Sequence, residues 1–133
     1  MLRYGISAKT PSLLDSRGFT MSGSGYGTTV SVSGNVYHNG TFNYTYGANA
    51  WVNKTYGGTP RAMTLTVHCT SYGVVGSGGV GIIYNDSVSY TGSYTNSFSA
   101  SPSRTYSGVM TTYIVEVWVD VTTSTGNFFT VHE

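Results

Sequence analysis

The chain has 133 residues, room for one domain with a single core, and only 8% of them are charged, against about 25% in an ordinary globular protein. A net charge of +1 leaves no basic footprint for nucleic acid, and abundant aromatic and β-branched residues exclude disorder for most of the length. A surface covered by neutral hydroxyls, amides and backbone has little like-charge repulsion, which points to a protein packed against copies of itself, a sugar polymer or another surface.

Residues 1–20 lack alternation and hold three of the six Lys and Arg residues, Arg3, Lys9 and Arg17. Met1-Leu2-Arg3-Tyr4-Gly5-Ile6 has no apolar stretch of the kind a signal peptide carries. Thr10-Pro11-Ser12-Leu13-Leu14-Asp15 fits one helical turn, with Thr10 as N-cap and Pro11 at the first helical position. The segment reads as an N-terminal arm that lies on the domain or reaches a neighbour. Arg3, Lys9, Leu13, Leu14 and Arg17 are its expected assembly contacts, and residues 21–133 form the domain proper.

From Gly27 onward the period is two. Val30, Val32 and Val36 alternate with polar residues, and His38-Asn39-Gly40-Thr41 carries Asn-Gly, the strongest short-range hairpin signal. The expected return strand places Phe42, Tyr44 and Tyr46 on one side, and Trp51 and Val52 extend it after a break at Gly47. Arg61 to Tyr72 is the next strand, with Met63, Leu65, Val67 and Cys69 inward and Thr64, Thr66, His68 and Thr70 outward. Residues 73–81 form a glycine-rich connection, Val80 to Tyr84 a short strand, Asn85-Asp86 a turn, and Ser87 to Phe98 another alternating tract. Pro102 sits in a loop over residues 99–103. Met110 to Val121 is the clearest strand: Tyr113, Val115, Val117, Val119 and Val121 face one way, Ile114, Glu116, Trp118 and Asp120 the other. A turn at Ser124-Thr125-Gly126-Asn127 leads to a last strand from Phe128 to His132. Seven to eight strands with turns every 8–12 residues predict an all-β, single antiparallel β-sandwich, compatible with a jelly roll.

Motifs that name a reaction are missing. Gly76-Ser77-Gly78-Gly79-Val80-Gly81 matches the dinucleotide pattern, but a strand follows it where a phosphate-binding helix is required. No cofactor is expected. His38, His68 and His132 have no metal-type spacing and read as isolated surface histidines. Cys69, the single cysteine, reads as a buried small hydrophobe. Glu116 and Asp120 lie four residues apart on one strand, about 13 Å, too far for a glycosidase carboxyl pair. Trp118 between them offers a different chemistry: a sugar stacked on the indole with the two carboxylates accepting its hydroxyl hydrogens. Against this stands packing of Trp118 under a loop or the arm, with the acids solvated or paired to arm cations.

The first expectation is therefore a non-enzymatic structural subunit that self-assembles into a filament, virion or surface layer, found outside cells or on a particle. The second is a carbohydrate-binding or adhesin module using Trp118, Glu116 and Asp120. A membrane-active β-toxin, with residues 87–99 as the pore-forming hairpin, is a third. The expected partners are other copies of the chain and glycans, without nucleic acid and without a transmembrane segment.

Overall fold

Valine at alternate positions makes β9 (Met110–Thr122) two-faced: Val115, Val117, Val119 and Val121 are buried, and the residues between them reach the surface. The computed structural model describes residues 5–8 and 14–132, and all its regular elements are strands. The others are β1 (Gly5–Ala8), β2 (Leu14–Gly25), β3 (Thr28–Thr41), β4 (Asn43–Tyr56), β5 (Ala62–Val75), β6 (Gly79–Ser93), β7 (Ser97–Ala100), β8 (Ser103–Ser107) and β10 (Phe128–Val131).

Two antiparallel five-stranded sheets pack face to face. In one, β9 carries β1 and β10 end to end along one edge and β5 along the other, with β6 outermost. In the second, β2, β3 and β4 run in order, and β7 and β8 lie end to end along β4. Pro102, with no N–H to donate, sits at the break between β7 and β8. The architecture is the expected sandwich, with ten strands among the described residues where seven to eight were expected. The surplus comes from pieces of four or five residues, too short to show a period.

Three sequence expectations give way to register. The β3–β4 hairpin reverses at Phe42, not at Asn39-Gly40, which pair with Thr45 and Tyr44 inside the ladder. A two-residue turn at 39–40 would set Val36 opposite Asn43 and turn valines of one strand toward asparagines of the next. The observed register sets Val36 opposite Ala48 and Val32 opposite Val52, which keeps the valines of both strands inside. Phe42 adopts φ 63° and projects outward, away from Tyr44 and Tyr46. Gly47 does not break β4. It is the place where the β7–β8 connection crosses, and a Cβ there would collide with the Pro102 carbonyl and lie 2.7 Å from the Tyr37 hydroxyl. Asn85-Asp86 is not a turn either: both residues pair with β5, opposite Thr70 and Cys69, because the long β5 needs a partner of matching length.

The core has two halves. One is aliphatic, around Val30, Val32, Val52, Met63, Leu65, Val119, Val121 and Val131. The other is aromatic and hydrogen-bonded, around His38, Tyr44, Tyr46, Tyr106 and Tyr113.

Candidate functional site

The aromatic half of the core contains the largest concentration of reactive groups. His38, expected at the surface, is 1% exposed. The register that keeps Val36 inside also turns His38 inside, two residues further along β3. Its ring stacks on Tyr113 at 3.8 Å between centroids and 10° between planes, and Nε2 lies 2.6 Å from the Tyr106 hydroxyl. The same hydroxyl meets Ser71 Oγ, and Cys69 Sγ lies 3.4 Å from Ser71. Tyr113 in turn donates to the Asp15 carboxylate, which β2 places opposite His38.

Burial sets the electrostatics here. It lowers the His38 pKa to about 4, while the nearby Asp15 carboxylate pulls in the opposite direction. Burial also pushes the Cys69 thiol and the hydroxyls of Tyr46, Tyr106 and Tyr113 upward. A His, a Ser and a Cys within one hydrogen-bonded cluster resemble the parts of a nucleophilic site. Here, however, all three side chains are closed off from solvent and the thiol is held protonated, so the arrangement links the two sheets and offers no nucleophile to a substrate. His38 Nδ1 and the Tyr44 hydroxyl are buried with no protein partner, a standing cost for this half of the core.

The sequence-predicted ligand residues stand together on the outer face of the other sheet. Trp118 is half-buried and donates from Nε1 to Asp120 Oδ2 at 3.2 Å. Asp120 Oδ1 accepts from Thr130 of β10 at 2.7 Å, and Glu116 lies 3.9 Å from His68 Nδ1. Both acids are thus engaged by side chains of their own sheet. Of the expected assembly residues, Arg3, Lys9 and Leu13 lie outside the described residues. Leu14 opens β2 opposite Asn39, and Arg17 is exposed opposite Val36. Residues 14–20 of the expected arm therefore run within the sheet.

Two surface features escaped the sequence reading. The end of the β5–β6 hairpin and the turns next to it hold Phe42, Val74, Val75, Val80, Ile82 and Val109, each 43–65% exposed, with Val74, Val80 and Ile82 on one face. Backbone bonds tie this corner together: Gly108 N–H donates to the Phe42 carbonyl, and Val74 N–H to the Val109 carbonyl. The glycine-rich run noted at residues 76–81 is the hairpin tip of this corner. The second feature is the outer edge of β6, fifteen residues long, with no Lys, Arg or Pro and one acid, Asp86. Asp86 accepts from the Ser87 N–H and from Arg104 of β8 at 2.7 Å, and these bonds lower its carboxyl pKa. Among the described residues no strand pairs with this edge, and no group of three or more His, Cys, Asp and Glu is placed to hold a metal ion. Among the described residues no helix is long and apolar enough to cross a membrane. The chain matches no protein-family model, no curated protein and no solved structure.

Proposed function

We propose that this protein is a non-enzymatic structural subunit that self-associates, through the β6 edge and the adjoining apolar corner, into a filament, virion or surface layer outside the cell. The observation that carries the reading is the length of the β6 edge free of Lys, Arg and Pro, interrupted by a single bulge opposite Ser71 and Tyr72. A long edge strand presents a row of N–H and C=O groups to any other strand, and proteins that must stay monomeric block such edges with Lys, Pro or bulges. The residues of β6 past its bulge with β5 include no Lys, Arg or Pro, and its one acid is bonded to Arg104. Beside it, Val74, Val80 and Ile82 are exposed together on one face of the β5–β6 hairpin, an apolar cluster of the kind that marks interaction surfaces. The low overall charge supports the same reading, since neighbouring copies repel one another little.

Negative-stain microscopy of the wild type and of a Ser87→Lys/Ser89→Lys variant tests it. Regular polymers or shells are expected from the wild type and isolated particles from the variant. Identical assemblies from both would remove the β6 edge from the account, and isolated particles from both would remove self-assembly.

A further inference from the structure

The outer face of the β2–β3–β4–β7–β8 sheet differs from every other surface of the molecule. Alternation and register define its outward positions, and among the described residues none of them is charged. They are mainly serines, threonines, asparagines and glycines, with three aromatic rings, Tyr37, Trp51 and Tyr56. Trp51 is 48% exposed on β4, and its ladder neighbours on the two sides are Ser33 and Ser99. Asn49 and Asn53 stand before and after it on the same face.

The surface at Trp51 is concave. A shallow, open depression of about 450 Å³ is lined by Ser33, Gly34, Asn49, Ala50, Trp51, Ser99, Ala100 and Ser101. A side chain at Gly34 is excluded, because its Cβ would run into the Asn49 carbonyl. The rim is fixed in advance. Asn49 Nδ2 donates to Asn35 Oδ1 at 3.1 Å, and Asn35 Nδ2 donates to Ser16 Oγ at 3.2 Å, a chain of amides across three strands. Further along β4 the Tyr37 hydroxyl overlies Gly47. Gly47 lies four positions before Trp51, about 13 Å along the strand, so a second ring stands further along the same face.

We infer that this open depression binds a neutral glycan, stacked on Trp51 and hydrogen-bonded by the surrounding amides and hydroxyls. Each other ligand class lacks something it needs. An anion or nucleic acid requires cations, and the face has none. A lipid surface or the centre of a protein interface requires apolar neighbours around the indole, and its neighbours are Ser and Asn. A sugar ring presents C–H groups on its face and hydroxyls around its edge. An exposed indole ringed by neutral donors and acceptors is the complement of that pattern. The Trp118 face lacks this openness, since Trp118 is half-buried and bonded to Asp120. The inference is independent of self-assembly: a subunit that stays monomeric would bind equally well.

The chain has two tryptophans, so Trp118→Phe leaves Trp51 as the sole indole. That variant is titrated with soluble neutral oligosaccharides (cello-, xylo-, manno-, galacto- and chito-series) while its fluorescence is followed, and binding is repeated by calorimetry. At least one series is expected to shift the emission saturably. Its affinity should be unchanged between about 50 and 500 mM salt and at least about tenfold weaker in Trp51→Ala and in Ser99→Lys. Far-ultraviolet circular dichroism identifies which of the two variants is folded. The inference is overturned if no series binds, if a folded variant binds as the wild type does, if binding is lost with Trp118 instead, or if it collapses with salt.

Discussion

Acid should destabilise this protein through one side chain. His38 is buried neutral against Tyr44, Tyr106 and Tyr113, with Asp15 the facing carboxylate, and its pKa falls from 6.5 to about 4. The unfolded chain binds a proton near pH 6.5 and the folded chain only near pH 4, so between these values the unfolded state holds more protons. Stability is therefore complete above pH 6.5 and falls with acidity by up to about 1.4 kcal/mol per pH unit. Across the window the loss is about 3 kcal/mol, a large share of the 5–15 kcal/mol that holds a typical domain together. Urea unfolding at pH 7, 5.5 and 4 measures it, with His38→Gln as the variant that cannot take up the proton. The wild type should lose stability steeply through the window while His38→Gln loses much less. Asp86, whose pKa is lowered by its bonds to Ser87 and Arg104, acts only at the acid end of that range and in both proteins alike. Parallel curves for wild type and variant, or an NMR titration of the His38 ring centred near pH 6.5, would refute the reasoning.

Three further outcomes follow from local geometry. Tyr26 and Gly27 form the two-residue β2–β3 turn with φ of 53° and 74°, a type I′ pattern that prefers Asn-Gly; Tyr26→Asn should stabilise by about 0.5–1 kcal/mol in thermal or urea unfolding. Gly47→Ala should cost about 1–3 kcal/mol, since the new methyl meets the Pro102 carbonyl and the Tyr37 hydroxyl; an unchanged urea midpoint would contradict that contact. The Cys69 thiol should resist a thiol reagent in native buffer and react once urea unfolds the chain, because it is buried and its pKa is raised.

The strands that sequence reading placed well, β5 and β9, are those whose apolar residues alternate without interruption from Met63 to Cys69 and from Tyr113 to Val121. Misplaced turns trace to one cause. Asn39-Gly40 and Asn85-Asp86 are good turn sequences, but local turn preference is worth less than keeping a whole inner face apolar, and register decides. β2 was hidden because an edge strand packed through Gly23 and Gly25, with Phe129 and Val131 filling the space, shows little hydrophobic alternation. His38 was misjudged by its closeness to a turn that is not there. Its even spacing from Val30, Val32 and Val36 was the signal of an inward position. Trp51 carried the opposite signal: it is out of phase with Tyr44, Tyr46 and Val52, and lies between Asn49 and Asn53, which marks an aromatic ring turned outward on a polar face. The β6 edge and the apolar corner were not legible at all, since they depend on which strands end up outermost.

The central claim is that the bare β6 edge and its apolar corner exist to be covered by other copies of the chain. Sedimentation velocity of the purified wild type over a wide concentration series tests it most directly. The account predicts that the sedimentation coefficient climbs with concentration toward large, defined species and that Val74→Lys/Ile82→Lys suppresses the climb. A single monomer boundary at every concentration would contradict it.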